Sequence, residues 1–246
     1  MNRTVLHFHF LETPENWLGN DDQKQAVLQA FDIWKGLGIG LKFQDVNDPN
    51  NAEIHIGFEP GGSWSYVGRD AIDSVPNANE RTMNFGWDLT TPFGRDTGLH
   101  EIGHSLGFPH EHQNPNAGIV WDENAVFMFF GGHLNFWNQA KTHHNVIRKI
   151  SFTAVQGSTW DKDPIMHYQF PAGLILVPEK YRDTPLVPDA GLSPIDIEEA
   201  IGFYPGEPES AVSELQPYLS QLVEISAGQQ LDFVMRPAVS RKYTIQ

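Results

Sequence analysis

The sequence predicts an α+β protein. Three features point there: an alternating, aromatic-rich N-terminal segment, an amphipathic helix directly after it, and a run of short strand-like segments before helical signals return. Thr4–Phe10 alternates as a half-buried strand does. Asp21 and Asp22 lead into an apolar stripe (Ala26, Val27, Ala30, Phe31 and Trp34) at helical spacing, and the glycines from Gly36 to Gly40 close that helix. Leu41–Phe43, Glu53–Phe58, Ser63–Gly68 and Thr82–Trp87 read as short strands, the third entered through the bend Pro60–Gly62. Thr97–Leu106 reads as a second helix. After Pro109 the pattern loosens into Asn, Pro and Gly, with helical stretches near Asp122–Phe130 and Asn135–Ile150. Ser193 before Pro194 is a helix-start signature, with serine as cap and proline at the first helical position, and that helix ends near Tyr204. Glu207–Ser213 is polar and linker-like, followed by β-like runs at Gln230–Met235 and Lys242–Ile245.

Composition narrows the function. A chain of 246 residues with 40% hydrophobic and 12% aromatic content can bury a real core and is not disordered. The absence of cysteine excludes a disulfide scaffold, an iron–sulfur cluster and a cysteine nucleophile. A net charge of −15 repels phosphate, so no nucleic-acid partner is expected. No run approaches the roughly 18–20 apolar residues that span a bilayer, so no membrane partner is expected either. Met1–Phe10 has no signal-peptide apolar core, which leaves a secreted and a cytoplasmic location both open. Eleven histidines make a metal site worth seeking.

The informative stretch is His100-Glu101-Ile102-Gly103-His104-Ser105-Leu106-Gly107-Phe108-Pro109-His110. His100 and His104 are separated on a helix by ~40° of rotation and ~6 Å of rise, so both imidazoles share one face and can seat one zinc ion. Glu101 lies ~100° round from His100, beside the ion and not on it, where a general base belongs. On a continuing helix His110 would point ~240° away. Gly107 can take the left-handed conformation and reverse the chain, and Pro109 stops the helix resuming, so His110 can swing back as third ligand. Three ligands leave the open position of a catalytic zinc site, whereas a purely structural site would need a fourth ligand and no Glu101.

These residues resemble the zinc motif of the metzincin metallopeptidases, and Leu99–Glu111 is similar to the astacin family, whose motif continues with a glutamate after the third histidine. Asp163-Pro164-Ile165-Met166-His167-Tyr168 resembles that family's Met-turn, with Met166 as the turn methionine. Trp64–Arg69 and Leu192-Ser193 with Asp196 and Tyr204 resemble two further family segments. The resemblance implies a metzincin-like α+β fold: a twisted mixed sheet, a backing helix and an active-site helix above an irregular lower subdomain. It implies a catalytic domain over 1–205, with an upper subdomain of about 1–110 and a lower one of about 111–205, then a linker and β-like extension over 206–246. It implies one catalytic Zn2+ held by His100, His104 and His110, with Tyr168 as a displaceable fifth ligand and catalytic residue, and Glu111 paired with the mature N-terminus. Animal astacins carry disulfides and a pro-segment. This chain has no cysteine, and the 99 residues before His100 are expected to be filled by the upper subdomain, which points to a microbial branch.

The expected function is a zinc-dependent endopeptidase with Glu101 as general base, acting on a peptide bound in extended form along an edge strand placed within Arg81–Trp87. The alternatives are a non-catalytic zinc-containing peptide- or carbohydrate-binding protein on a protease fold, and a processing protease with one dedicated peptide partner. His112 and His167 flank the motifs and read as neighbours of the ligands or surface residues; His7, His9 and His55 read as sheet residues and His143-His144 as a solvated face. Arg182 reads either as surface charge or as a selector of acidic substrates, against which the net charge of −15 argues for basic ones.

Overall fold

The computed structural model describes residues 5–75, 77–133, 135–151 and 160–206. The expected linker at Glu207–Ser213 and the two β-like runs after it lie outside the described residues. Strand β1, Val5–Phe10, leads into helix α1, Asp21–Lys35, whose first free amides are met by the Asn20 side chain accepting from Gln23 N–H. Strands β2 (Lys42–Asp45), β3 (Ile54–Gly57) and β4 (Trp64–Ser65), a helical turn α2 (Asp70–Asp73) and strand β5 (Met83–Asn84) follow. The sheet order is β2-β1-β3-β5-β4, with β1, β2, β3 and β5 parallel and β4 antiparallel to β5. β4 is therefore an edge strand. Residues 81–87, expected at the edge, run between β3 and β4 instead, because Met83 and Asn84 pair on both sides. Sheet order is a long-range property that local alternation does not encode.

Helix α3, Pro92–Ser105, begins five residues earlier than the apolar spacing suggests, capped by Thr91 with Pro92 at its first position. Its three glycines hide the periodicity, and each meets another segment closely. A methyl on Gly98 would stand 3.3 Å from Ala30 Cβ of α1, and one on Gly103 would stand 2.5 Å from Met166 Sδ. Trp34 of α1, fully buried, donates from Nε1 to Leu99 O at 3.0 Å and fixes the two helices side by side. Behind the sheet Phe8, Phe31, Trp34, Ile56, Met83 and Ile102 form one apolar cluster, which Met166 joins.

Past α3 come β6 (Val120–Trp121), α4 (Glu123–Gly131), α5 (Gln139–Thr142) continuing as a π turn over His143–Ile147, β7 (Ile175–Val177), α6 (Lys180–Asp183) and α7 (Pro194–Phe203). β6 and β7 pair antiparallel and cover a second cluster centred on Val126, Phe130, Val146, Phe170 and Ile175. Strands this short carry no periodicity that a sequence could reveal. Ser193 caps α7 with Pro194 in its first turn, as the sequence predicts, and the Asp196 side chain completes a reciprocal capping box. No helix among the described residues is long and apolar enough to cross a membrane.

Candidate metal centre

Helix α3 presents His100, Glu101 and His104 in its last turns. Gly107 then adopts φ 95°, the left-handed conformation that the reversal requires. Its N–H donates to His104 O at 2.8 Å and Phe108 N–H to Gly103 O at 3.0 Å, so the end of the helix is satisfied while the chain folds back. Gly68 N–H donates to the same His104 carbonyl at 2.8 Å, tying the segment after β4 to the helix. The reversal brings His110 to the helix face. One ring nitrogen from each of His100, His104 and His110 lies within 4.8 Å of the others, so the three residues expected from the sequence are grouped where they could hold a metal ion.

Each imidazole is held from behind. Nδ1 of His100 bonds to Ile165 O at 2.7 Å, Nδ1 of His104 to Phe108 O at 2.8 Å, and Nδ1 of His110 to Gln113 Oε1 at 3.3 Å. All three partners are acceptors, so Nδ1 carries the proton and Nε2 is left with a lone pair. Burial pushes His100 down to about 4, His104 to about 3 and His110 well below the ordinary range, so all three rings are neutral at pH 7. Nε2 of His104 and of His110 stand 3.1 Å apart with no proton between them. Two nitrogens ~2.05 Å from one tetrahedral zinc stand ~3.3 Å apart, so a cation resolves this contact of bare lone pairs and the donor set fits zinc.

The roles of two residues behind the triad are not apparent in the sequence. Asp196 Oδ2 accepts from Ile165 N–H at 2.8 Å while also accepting from Ser193 N–H at 2.8 Å. The cap of α7 thus positions the residue whose carbonyl orients His100. Gln113, which orients His110, donates from Nε2 to His144 O at 2.7 Å and to Arg148 O at 2.9 Å, so its amide cannot flip freely. Such orienting partners fix the tautomer and ring plane of a metal ligand.

The turn Pro164–His167 is closed by His167 N–H on Pro164 O at 2.9 Å, and Met166 O accepts from Glu111 N–H at 3.0 Å. Met166 packs beneath the helix at Gly103, and no larger residue fits there. Tyr168 lies over the triad, its ring 4.3 Å from that of His110 and 5.8 Å from that of His100. Burial, and then the nearby Glu101, push its hydroxyl pKa up. Glu101 is 5% exposed, its Oε2 has no hydrogen-bond partner among the described residues, and burial pushes its carboxyl up to about 8. Its carboxylate is not part of the triad.

His112 and His167 are both buried and stand outside the triad. Nε2 of His112 bonds to Asn145 O at 2.9 Å while its ring packs on His110 at 5.1 Å, and Nδ1 of His167 bonds to Tyr168 O at 2.8 Å. His7, His9 and His55 make local bonds in the sheet, to Glu53, Val46 O and Pro49 O. His143 and His144 are exposed. Arg182 donates to Leu176 O at 2.8 Å and pairs with Glu179 at the surface. Glu111 accepts from Asn114 Nδ2 at 2.9 Å. Met1, the family's partner for it, lies outside the described residues.

A helix that ends in a glycine reversal, with its ligands braced by a methionine turn, is the architecture of a zinc metallopeptidase. The comparisons with known proteins narrow the class. The family model for astacin, a peptidase family, matches residues 15–173, and the chain belongs to the astacin family. It is similar to the solved structure of myroilysin, with TM-score 0.71 and 30% identity over 82% of this chain and 93% of that one. It shares its fold with high choriolytic enzyme 1, a hatching enzyme zinc-protease of the medaka Oryzias latipes, with TM-score 0.50 and 14% identity over 82% of this chain and 90% of that one. Zinc metalloproteinase nas-2 of Caenorhabditis elegans is 26% identical over 155 residues, 60% of this chain and 47% of that protein. Protein SpAN of Strongylocentrotus purpuratus is 29% identical over 154 residues, 59% of this chain and 21% of that protein. The chain thus spans less than half the length of these curated relatives.

Proposed function

We propose that the protein is a zinc-dependent endopeptidase whose catalytic domain is residues 1–205, with 206–246 a separate extension. The observation that carries the reading is the convergence of three neutral imidazoles beside a buried glutamate whose Oε2 has no hydrogen-bond partner among the described residues, in a chain of the astacin family. His100, His104 and His110 would hold one zinc ion, which supplies Lewis acidity to the scissile carbonyl and acidity to a water. The outer edge of β4, which pairs with no other strand among the described residues, takes the substrate as an added extended strand. Glu101 receives the proton of the attacking water and returns it to the leaving amine. Its buried Oε2 has no hydrogen-bond partner among the described residues, so none of them competes for that exchange. The Tyr168 hydroxyl donates to the oxyanion of the tetrahedral intermediate.

Profiling a mixed peptide library with the zinc-loaded protein tests the reading, and internal cleavage of extended peptides is expected. In the same assay Tyr168→Phe is expected to keep its zinc and lose ~10²-fold in kcat with KM little changed, the signature of an interaction made in the transition state. Unchanged kcat at full zinc occupancy would make Tyr168 a packing residue on His110.

A further inference from the structure

We propose that Trp87 and Phe93 form a subsite for an apolar side chain of the substrate, about three residues after the scissile bond. The inference rests on the peptidase reading of the cleft. Phe93 is the second residue of α3, seven residues before His100. At ~100° and ~1.5 Å per residue, that spacing turns Phe93 to within ~20° of His100 and sets it ~10 Å towards the helix N-terminus. Phe93 therefore lies on the helix face that carries the imidazoles.

The Phe93 ring is 58% exposed and packs on that of Trp87, 40% exposed, with centroids 5.7 Å apart. Single exposed aromatics are ordinary, but this pair is held in place. Trp87 Nε1 donates to Thr97 Oγ1 at 3.0 Å, and that hydroxyl donates in turn to Phe93 O at 3.0 Å. A rigid apolar surface kept open to solvent loses little entropy on receiving a side chain.

The pair is continuous with the proposed peptide-binding edge. Trp87 follows β5 and emerges beside the start of β4, where Gly61 N–H donates to Gly86 O at 3.3 Å and Gly86 N–H to Ser63 Oγ at 3.1 Å. From there β4 runs towards the other end of α3. Ser65 Oγ meets Ser105 Oγ at 3.3 Å, and Gly68 N–H reaches His104 O. Edge strand and α3 thus run side by side, with the aromatic pair at one end and the imidazoles towards the other. A peptide added antiparallel to β4, the more stable pairing, runs from the imidazoles towards the pair. Residues after the scissile bond therefore meet Trp87 and Phe93, and at ~3.4 Å per residue a distance of ~10 Å is about three residues.

The test takes a parent peptide from the wild-type library profile and compares leucine with glycine at the third position after the cleaved bond. The wild type is expected to favour leucine about tenfold in kcat/KM. Phe93→Ala and Trp87→Ala are each expected to bring the ratio within about twofold of unity while binding zinc stoichiometrically. Phe93→Ala removes the more exposed ring and keeps the test sound should Trp87→Ala fail to fold. A wild type without the preference, variants that keep it, or a Phe93-dependent preference before the cleaved bond would each overturn the subsite. An empty library profile at full zinc occupancy would overturn the peptidase reading and the subsite with it.

Discussion

Glu101→Gln is expected to leave zinc bound and the fold intact while lowering peptidase turnover at least ~10²-fold, the usual scale for losing a positioned general base. The side chain is outside the triad, so the metal keeps its three nitrogens. Glutamine matches glutamate in volume, so no cavity opens at this buried position. Burial already disfavours the charged form when no cation is near, pushing the carboxyl up to about 8, so an uncharged amide is tolerated there. What the amide cannot do is take a proton from water. Zinc content and steady-state kinetics on one sample decide the matter. Near-full turnover at full zinc occupancy would remove Glu101 from the mechanism.

His110→Ala is expected to weaken zinc binding by more than ~100-fold and to abolish activity with it. Losing a ligand must cost at least what losing an orienting partner costs. Only His100 and His104 would remain, on one helix face. His112→Ala provides the contrast. Its Nε2 is committed to Asn145 O, and its ring only packs against His110, so stoichiometric zinc is expected to survive. Thermal stability should fall instead, because His112 is fully buried and alanine leaves a cavity. Zinc content that follows His112 and not His110 would mean that the reversal at Gly107 does not deliver the third ligand.

The triad is legible in the sequence because the chemistry restricts both residue type and spacing. Two histidines four apart need no tertiary information to share a face, and Gly107 announces the reversal that His110 requires. Ser193 likewise caps a helix by a rule that acts within four residues. What escapes is what depends on distant parts of the chain. Gly94, Gly98 and Gly103 blur the apolar stripe of α3 because each meets another segment closely, so the apolar spacing alone starts the helix at Thr97 and misses its first turn from Pro92. Asp196 supports Ile165 from 31 residues away, and only the packing of α7 brings them together. Local alternation misplaces the edge strand because the antiparallel return of β4 alongside β5 is a matter of sheet order. Gln113 stands three residues after His110, near enough to suggest a partner, yet the carbonyls that lock its amide, His144 O and Arg148 O, are 31 and 35 residues on.

Removal and return of the metal tests the central claim most directly. The wild-type protein is stripped with a strong chelator, assayed on a cleaved library peptide, and titrated with zinc while bound metal is counted. The expected result is complete loss of hydrolysis in the stripped protein and recovery that rises linearly to an end point of one zinc per chain. Hydrolysis that persists in fully metal-free protein, or zinc that binds at one per chain without restoring it, would contradict the account.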